Sequence, residues 1–470
     1  MAASKMPKVI IIGGGIAGLV SARHLQDVAE VTVFEGRSNV GGLWSALDPN
    51  CAIDNESQGN LFQQQYGCHF RNIFDDLIMN IPTMFAQFKD CPHADGKPSF
   101  LTREGFRDYV NAYVEMFGLR KYVQLNTFVL EVRRLDQVQG NENKKFAVVY
   151  CESANPGQQK TAHADYVIVA NGHNQVPYMP DLPGSDSFTG NIIHSRDYRH
   201  PDDPLFKQKT VLLLGAGYSG LEMVVQFLAH PKIGETDVKK IYFCGNVTTG
   251  LKMQSTTDFK AWIENGKLEL IEGRIERIEK DTVFITNGEK LQVDTIIACT
   301  GYQFAFPFLK KSQELITVSH NDSYFSPLYK MTFCIKEPNL CFVGNIDHTC
   351  FIQKLTEYQA CAVRSLVKGD LKLPGKDEML KHLDGQLLDF PGDMRRKFFN
   401  PICASKDDNK IIDDFVESVP SFAKDKALVE GLNNVGRILV AIILNGDYIT
   451  YRATDASKVF PDFEWDTTKE

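Results

Sequence analysis

The stretch KVIIIGGGIAG, from Lys8 to Gly18, decides the fold of this chain. Its first five residues form an apolar, β-branched run, which is typical of a strand buried on both faces of a parallel sheet. Glycines follow at once, then a helical pattern from Ile16 to Leu25 and a second strand-like run that ends at Glu35. Strand, glycine turn, helix and strand within about thirty residues predict a βαβ unit.

The glycines of this unit have the G-x-G-x-x-G spacing, at Gly13, Gly15 and Gly18. Such glycines let the chain turn sharply and let a pyrophosphate approach the main chain, while the following helix presents N–H groups to the phosphates. Glu35 ends the next strand, where a carboxylate accepts hydrogen bonds from ribose hydroxyl groups. The unit therefore predicts a Rossmann-type dinucleotide site.

A second unit of the same kind begins about two hundred residues later. It contains the strand Thr210–Leu214, the glycine run Gly215–Gly220, a helix to about Ala229 and a strand from Lys240 to Cys244. The two units are too far apart for a repeat array and predict two separate nucleotide folds. The N-terminal unit ends in a glutamate and suits FAD, whose ribose carries no 2′-phosphate, so the internal unit suits a nicotinamide cofactor.

The second unit leaves the choice of nicotinamide cofactor open. A 2′-phosphate favours an arginine or lysine after the second strand, and that strand ends Cys244-Gly245-Asn246 without an arginine. Lys252 follows a little later and is our candidate for the phosphate contact. We therefore expect NADPH, with NADH as a possible alternative.

The segments around the two units complete the predicted fold. Residues 98–134 read as helix, loop and strand, residues 140–170 read as a β-meander, and the proline-rich segments 177–183 and 201–204 read as linkers. We expect an α/β fold of two Rossmann-like, doubly wound domains in a glutathione-reductase-like FAD/NAD(P) arrangement. The expected FAD-binding domain is discontinuous, residues 1–175 and 320–470, and the expected NAD(P)-binding domain is residues 176–319.

Composition excludes several other classes of protein. The net charge of the 470 residues is -8, which argues against nucleic acid as a main partner. The 11 cysteines have scattered spacings without a C-x-x-C pair, which argues against a disulfide scaffold and against a zinc knuckle. The N-terminus lacks the apolar region of a signal peptide, and the run Ile438–Leu444 is too short to span a bilayer. These features predict a cytoplasmic protein without a membrane span.

The segment from Phe188 to Tyr198 matches F-x-G-x-x-x-H-x-x-x-[YF] and lies just before the second glycine motif. It resembles the fingerprint of the flavin-containing monooxygenases, whereas the related Baeyer–Villiger enzymes place a tryptophan where this chain has Tyr198. The resemblance leaves two interpretations of His194 open, a structural hinge between domains or a direct chemical role.

Further segments resemble the same family and extend the resemblance over roughly residues 8–365. They are Ser99–Glu104, Phe117–Leu119, Ala170–His173, Ala298–Tyr302 and Thr356–Ala360. Asn171 stands where the family usually has a threonine, and the last hundred residues match only loosely.

The resemblance implies roles for individual residues. Asn80, before Ile81-Pro82, matches the family's asparagine beside the flavin, and Tyr218 is similar to a tyrosine of some trimethylamine-oxidising members; these two are the predicted catalytic residues. The residues predicted to contact the two cofactors are Gly13, Gly15, Ala17, Gly18, Glu35, Arg37, Gly42, Leu43, Trp44, Asn80, Val129, Gly215, Gly217, Tyr218, Ser219, Gly220, Lys252, Thr300, Gly301, Gln359 and Arg452.

The implied activity is an FAD- and NAD(P)H-dependent monooxygenation. In the implied reaction, one atom of O2 passes through a C4a-hydroperoxyflavin to the nitrogen of an amine or the sulfur of a sulfide. The expected partners are this small molecule, O2 and a second copy of the chain in a homodimer. The alternatives are a Baeyer–Villiger or N-hydroxylating monooxygenase, a pyridine-nucleotide flavin or disulfide reductase, and a module that binds both cofactors without turnover.

Overall fold

The computed structural model describes residues 6–45, 72–79, 81, 83, 86–94, 98, 100–135, 145–230, 234–245, 257–312, 314–318, 325–345 and 352–388. The helices of these residues are α1 (Ile16–Leu25), α2 (Arg103–Met116), α3 (Tyr218–Leu228), α4 (Thr257–Glu264), α5 (Ile352–Lys368) and α6 (Lys376–Leu388). The strands are β1 (Lys8–Ile12), β2 (Glu30–Phe34), β3 (Val123–Gln124), β4 (Thr127–Arg134), β5 (Phe146–Glu152), β6 (Asn155–Ala164), β7 (Tyr166–Val169), β8 (Val176–Pro177), β9 (Asn191–His194), β10 (Thr210–Leu214), β11 (Lys240–Gly245), β12 (Leu268–Glu272), β13 (Ile275–Glu279), β14 (Thr282–Ile285), β15 (Lys290–Gln292), β16 (Thr295–Ala298), β17 (Tyr302–Gln303), β18 (Thr317–Val318), β19 (Phe325–Ser326), β20 (Leu328–Tyr329), β21 (Phe333–Cys334) and β22 (Leu340–Phe342).

The first glycine motif lies at the centre of a seven-stranded sheet. The strand order is β20-β21-β22-β7-β1-β2-β3, and β1 pairs in parallel with β2 and β7, with Ile10 opposite Thr32 and Val167. Strand β22 extends the parallel part beyond β7, and β21 and β20 add an antiparallel edge. The continuous apolar sequence of β1 fits this position because the strand is covered on both faces.

The second glycine motif lies in a separate sheet of five parallel strands, ordered β12-β11-β10-β16-β9. Strand β10 lies between β11, which follows α3, and the later strand β16. In the first sheet, β1 lies in the same way between β2, which follows α1, and the later strand β7. This confirms the predicted α/β class with two Rossmann-like parallel sheets.

One part of the strand prediction is wrong in its pairing. Of the strands within the predicted β-meander, residues 140–170, β5 and β6 form an antiparallel sheet with β4, which precedes that segment. Strand β7, predicted as the end of that meander, pairs in parallel with β1 and belongs to the seven-stranded sheet. Its run Tyr166–Val169 is apolar without alternation, which is the pattern of a central parallel strand.

A two-stranded ribbon marks the passage between the sheets. Strand β8 pairs with β17 in antiparallel fashion, with Tyr302 opposite Pro177. In the described part of the chain, no helix combines the length and the apolar composition that crossing a bilayer requires.

Candidate dinucleotide and oxygenation site

The first glycine loop, between β1 and α1, is packed closely against the main chain around it. Gly13 has a φ of +105°, and a Cβ atom on it would lie 2.5 Å from the carbonyl oxygen of Ala170. A Cβ atom on Gly18 would lie 1.9 Å from the carbonyl oxygen of Gly13. Because these neighbours are main-chain atoms, both positions require glycine for the packing of the protein itself.

The second loop, between β10 and α3, repeats this geometry. Gly215 has a φ of +116°, and its Cβ atom would lie 2.5 Å from the carbonyl oxygen of Cys299. A Cβ atom on Gly220 would lie 2.2 Å from the carbonyl oxygen of Gly215. The N–H of Gly13 donates to the carbonyl of Phe34 at the end of β2, and the N–H of Gly215 donates to the carbonyl of Cys244 near the end of β11. Both hydrogen bonds are 2.8 Å long. The two motifs therefore build the same turn on two different sheets.

The starts of α1 and α3 differ from an ordinary helix start. Their N-caps are Gly15 and Gly217, which supply no side-chain cap, and neither first turn contains an acidic residue. Helix α2 begins in the usual way, because the hydroxyl of Thr102 accepts from the N–H of Gly105 over 3.1 Å and Glu104 lies in its first turn. The main-chain N–H groups and the positive dipole end at α1 and α3 therefore suit an anion, as a pyrophosphate requires.

Glu35 lies where the sequence predicts a ribose contact. It is buried, its Oε2 accepts from the N–H of Gly14 over 2.6 Å, and its Oε1 accepts from the N–H of Arg37 over 2.9 Å. A carboxylate has about four acceptor positions, so a ribose hydroxyl can share the group with these amides. The second loop has no acid at the corresponding place, since β11 ends at Gly245.

The turn Gly42–Trp44 lies across the start of α1. The Nη1 of Arg37 donates to the carbonyl of Gly42 over 2.8 Å, and a Cβ atom on Gly42 would lie 3.0 Å from the Cα of Gly15. The ring of Trp44 packs edge-on against an aromatic ring of α2, with 4.7 Å between centroids. The structure thus brings the predicted residues Arg37, Gly42, Leu43 and Trp44 together at the first glycine loop.

The fingerprint histidine has its two ring nitrogens in main-chain hydrogen bonds. The Nε2 of His194 donates to the carbonyl of Gly301 over 3.0 Å, and its Nδ1 accepts from the N–H of Arg196 over 3.1 Å. Burial lowers the pKa of His194, which favours the neutral ring that this pattern needs. Of the two interpretations, these contacts favour the structural one, because the ring ties the fingerprint to the end of β16.

Thr300 and Gly301, which follow β16, are joined to the ribbon between the sheets. The N–H of Tyr178 donates to the carbonyl of Gly301 over 2.9 Å, and the hydroxyl of Thr300 donates to the carbonyl of Tyr178. The predicted cofactor residues at this strand end therefore also fix the crossing of the chain from one sheet to the other.

Two predicted contact residues lie deeper than expected. The side chain of Val129 is buried in the core of the first sheet, so only its main chain can face a nucleotide. Gln359 is fully buried, its Oε1 accepts from the N–H of Gly344 over 2.9 Å, and its Nε2 donates to the carbonyl of Met331 over 3.0 Å. The side chain of Gln359 therefore supports the turn at Gly344. A Cβ atom on Gly344 would lie 2.4 Å from the Cβ atom of Ala17.

Tyr218 and Ser219 form the first turn of α3, and both are half-buried. Burial raises the pKa of the Tyr218 phenol, so the group is protonated at neutral pH and can donate a hydrogen bond. This is the state that a hydrogen-bonding role beside a cofactor requires.

Asn80, Lys252 and Arg452 lie outside the described residues, so their roles stay predictions. The segment that leads into Asn80 is described, and the N–H of Met79 donates to the carbonyl of Leu101 over 2.8 Å. This bond ties the segment to the residues that precede α2.

The cysteines of the described residues give no support to a disulfide reductase. They are free, and they are Cys91, Cys151, Cys244, Cys299, Cys334, Cys341 and Cys361. Burial raises the pKa of Cys244 and of Cys299, which adjoin the second glycine loop, to about 12. These thiols stay protonated at neutral pH, whereas a disulfide exchange reaction needs a thiolate.

The model of the flavin-binding monooxygenase-like family matches residues 6–232 and 248–417. The chain belongs to this family. It is therefore a flavoprotein and an enzyme of the flavin-containing monooxygenase type, with FAD and NADPH as its cofactors, and it acts on a small molecule and O2. The predictions of the family and of the cofactors are confirmed.

Three similar proteins illustrate the range of the family. Senecionine N-oxygenase of Tyria jacobaeae is 29% identical over 382 residues, which are 81% of this chain and 75% of the relative. Trimethylamine monooxygenase of Pelagibacter ubique is 29% identical over 393 residues, 81% of this chain and 79% of the relative. The solved structure of S-allyl-L-cysteine S-oxygenase from Allium sativum has a TM-score of 0.74 at 22% identity and covers 97% of this chain and 99% of that one.

Sequence reasoning missed Gly344, which follows β22 as Gly301 follows β16. The available signal is a glycine shortly after a buried strand, the same pattern that singles out Gly301. The cluster of Asp76, His200 and His230, described below, left no such signal because its members come from three distant segments.

Proposed function

We propose that the protein uses FAD and NADPH to transfer one oxygen atom of O2 to the nitrogen of a small amine or the sulfur of a small sulfide. In the overall reaction NADPH, a proton, O2 and the substrate give NADP+, water and the oxygenated product. The observation that carries the proposal is the pair of matching glycine-capped helix starts on two parallel sheets, in a chain of the flavin-binding monooxygenase-like family.

The residues fit two dinucleotides with distinct tasks. The start of α1, with Gly13, Gly15 and Gly18, would hold the pyrophosphate of FAD, and Glu35 would accept from its ribose. The start of α3, with the corresponding glycines, would hold the pyrophosphate of NADPH. When bound, FAD supplies the redox chemistry that links hydride from NADPH to O2. The protein's part is to position the two cofactors and to keep the space between them dry.

The two sheets support the proposed division of the chain. The strands of the first sheet come from residues 8–169 and 328–342, and those of the second come from residues 191–298. We therefore propose an FAD-binding domain of residues 1–175 and 320–470 and an NAD(P)-binding domain of residues 176–319. A homodimer is proposed as well, and light scattering of the purified protein tests it.

The N- and S-oxygenating relatives support a soft nucleophile as substrate. The names of the relatives specify oxygenation at nitrogen in one case and at sulfur in another. The fingerprint ends in Tyr198, not in the tryptophan expected of a Baeyer–Villiger enzyme, and this favours the same class.

The test is turnover of the purified holoprotein with NADPH under ¹⁸O2. The panel contains a tertiary amine, a thioether, a primary amine and a cyclic ketone, and mass spectrometry follows the incorporation of one labelled oxygen atom. We expect the label in an N-oxide or an S-oxide. A labelled lactone alone would move the protein to the Baeyer–Villiger class, and NADPH oxidation without any labelled product would refute the proposal.

We also propose that Lys252 contacts the 2′-phosphate of NADPH. Lys252→Ala should then lower kcat/KM for NADPH by about tenfold, which corresponds to the loss of about 1.4 kcal/mol, and leave kcat/KM for NADH unchanged. Lys239→Ala serves as the control, because it removes an equal charge at an exposed position just before the first residue of β11. An unchanged NADPH/NADH ratio in Lys252→Ala would refute the contact.

A further inference from the structure

Three side chains from separate segments meet beside the second sheet. The Oδ2 of Asp76 lies 3.5 Å from the Nε2 of His200 and 3.4 Å from the Nε2 of His230. One ligand atom of each residue lies within 4.8 Å of the others, and the two imidazole rings are 5.0 Å apart and tilted by 64°. The three donor atoms therefore converge on one small volume.

The two spacings from Asp76 fit a zinc ion. Zinc binds histidine nitrogen and carboxylate oxygen at about 2.0–2.1 Å in a tetrahedron, whose edges are then about 3.3 Å long. The two distances from Asp76 Oδ2, 3.4 Å to His230 Nε2 and 3.5 Å to His200 Nε2, are close to such edges. Two imidazoles and one carboxylate also form a donor set that zinc and neighbouring divalent metals prefer, and they leave a fourth position for water.

The surroundings hold the ligands in place and leave a route for an ion. The side chain of His230 is 0% exposed, that of Asp76 13% and that of His200 36%, so the cluster opens to solvent on the His200 side. The main chain of His230 is fixed by a pair of hydrogen bonds with Gly234, each 2.9 Å long. The deeper ligand is therefore held in place through its main chain, and the outer one is accessible.

The second nitrogen of His200 has a carboxylate nearby. Its Nδ1 accepts from the main-chain N–H of Asp202 over 3.3 Å and lies 3.8 Å from Asp202 Oδ2. A metal on Nε2 would place the proton on Nδ1, so the hydrogen bond from the Asp202 N–H would be exchanged for one from Nδ1 to the Asp202 carboxylate, the usual outer partner of a metal-bound histidine. The neighbouring Asp75 pairs with Arg103 over 3.4 Å.

We propose that Asp76, His200 and His230 bind one divalent transition-metal ion, with zinc as the reference metal. The site would join the segment 72–79 to the residues after α3 and to those after the fingerprint. This inference does not depend on the oxygenation chemistry, because it concerns residues outside both glycine loops. The competing interpretation is that the two histidines only form ion pairs with Asp76.

The test is equilibrium dialysis of the chelator-treated holoprotein against Zn²⁺, with metal and flavin content measured separately. We expect one zinc ion per chain in the wild type that is lost or weakened by about tenfold or more in His200→Gln and in Asp76→Asn, at least as much as the loss of an outer-shell partner costs. His24→Gln is the matched control, since it removes a histidine that lies 3.7 Å from Glu357 and away from the cluster.

A second readout separates metal binding from misfolding. Relative to its own metal-free value, saturating Zn²⁺ should raise the Tm of the wild type and of His24→Gln but not that of His200→Gln. The absence of a stoichiometric zinc ion in the wild type would overturn the proposal in favour of ion pairs. Zinc binding that survives both ligand substitutions would overturn it as well, because the metal would then lie elsewhere.

Discussion

Gly217→Ala tests whether the start of α3 binds a pyrophosphate. A Cβ atom at Gly217 would meet nothing within 4 Å, and its φ of -84° suits any residue. The protein itself therefore gives no reason for glycine here. Alanine is a poorer N-cap by roughly half a kcal/mol. It also restricts the unfolded chain, which contributes about 0.4–1 kcal/mol in the opposite sense. The free energy of unfolding should stay within about 0.5 kcal/mol of the wild type.

NADPH binding should respond far more strongly than stability. A methyl group at the helix start would displace a phosphate oxygen and cost one charge-assisted hydrogen bond, about 1.5–3 kcal/mol. The KM and the Kd for NADPH should therefore rise by about tenfold to a hundredfold, since 1.4 kcal/mol is a factor of ten. The flavin content of the purified variant should remain that of the wild type, because the proposed FAD site at α1 follows a strand of the other sheet.

Gly220→Ala provides the contrast within the same motif. Its Cβ atom would lie 2.2 Å from the carbonyl oxygen of Gly215 and 2.8 Å from a ring carbon of Phe243. Overpacking of this kind costs about 1–3 kcal/mol, so its Tm should fall by several degrees. An unchanged NADPH affinity in Gly217→Ala would refute the pyrophosphate assignment. Loss of flavin with NADPH affinity retained would mean that the two cofactors belong to the opposite units.

Three further substitutions probe other parts of the site. Asn80→Ala should keep its FAD and still oxidise NADPH but release hydrogen peroxide in place of oxygenated product, and wild-type product yield would contradict its predicted role. Glu35→Ala leaves two buried main-chain N–H groups without their acceptor, at about 1–3 kcal/mol each, so the ratio of bound FAD to protein should fall. Because burial lowers the pKa of His194, its contribution to stability is present above about pH 6.5 and lost as the pH falls through the folded-state value. Denaturant titrations of wild type and His194→Gln between pH 7.5 and pH 5 should show a weaker acid sensitivity in the variant, and equal slopes would refute this assignment.

The local elements could be predicted because their signals are local. Helix α1 runs from Ile16 to Leu25 as expected, since the glycine turn before it and the apolar pattern within it fix both ends. The helix after the second motif ends at Leu228, one residue before the expected end. Strand partners are harder to predict, because β7 pairs with β1, more than a hundred residues away in sequence, rather than with its neighbour β6.

The candidate site could be predicted only where chemistry and local geometry coincide. Gly13, Gly18, Gly215 and Gly220 carry their own reason, since a Cβ atom on each would meet a main-chain oxygen of the same turn or of a neighbouring strand end. Gln359 shows the limit of such reasoning, because its sequence context indicates a cofactor contact while its burial assigns its amide to Gly344. Burial depends on packing between distant segments, which no local pattern encodes.

The contact between Gly344 and Ala17 bears on how the protein acquires its flavin during synthesis. Helix α1 packs against α5, and β22 completes the parallel part of the first sheet beside β7, although more than three hundred residues separate α1 from these elements. Contacts of such long range form late, after the loop between them has closed. The N-terminal cradle is therefore complete only once α5 (Ile352–Lys368) has been synthesised, and flavin capture should follow that point.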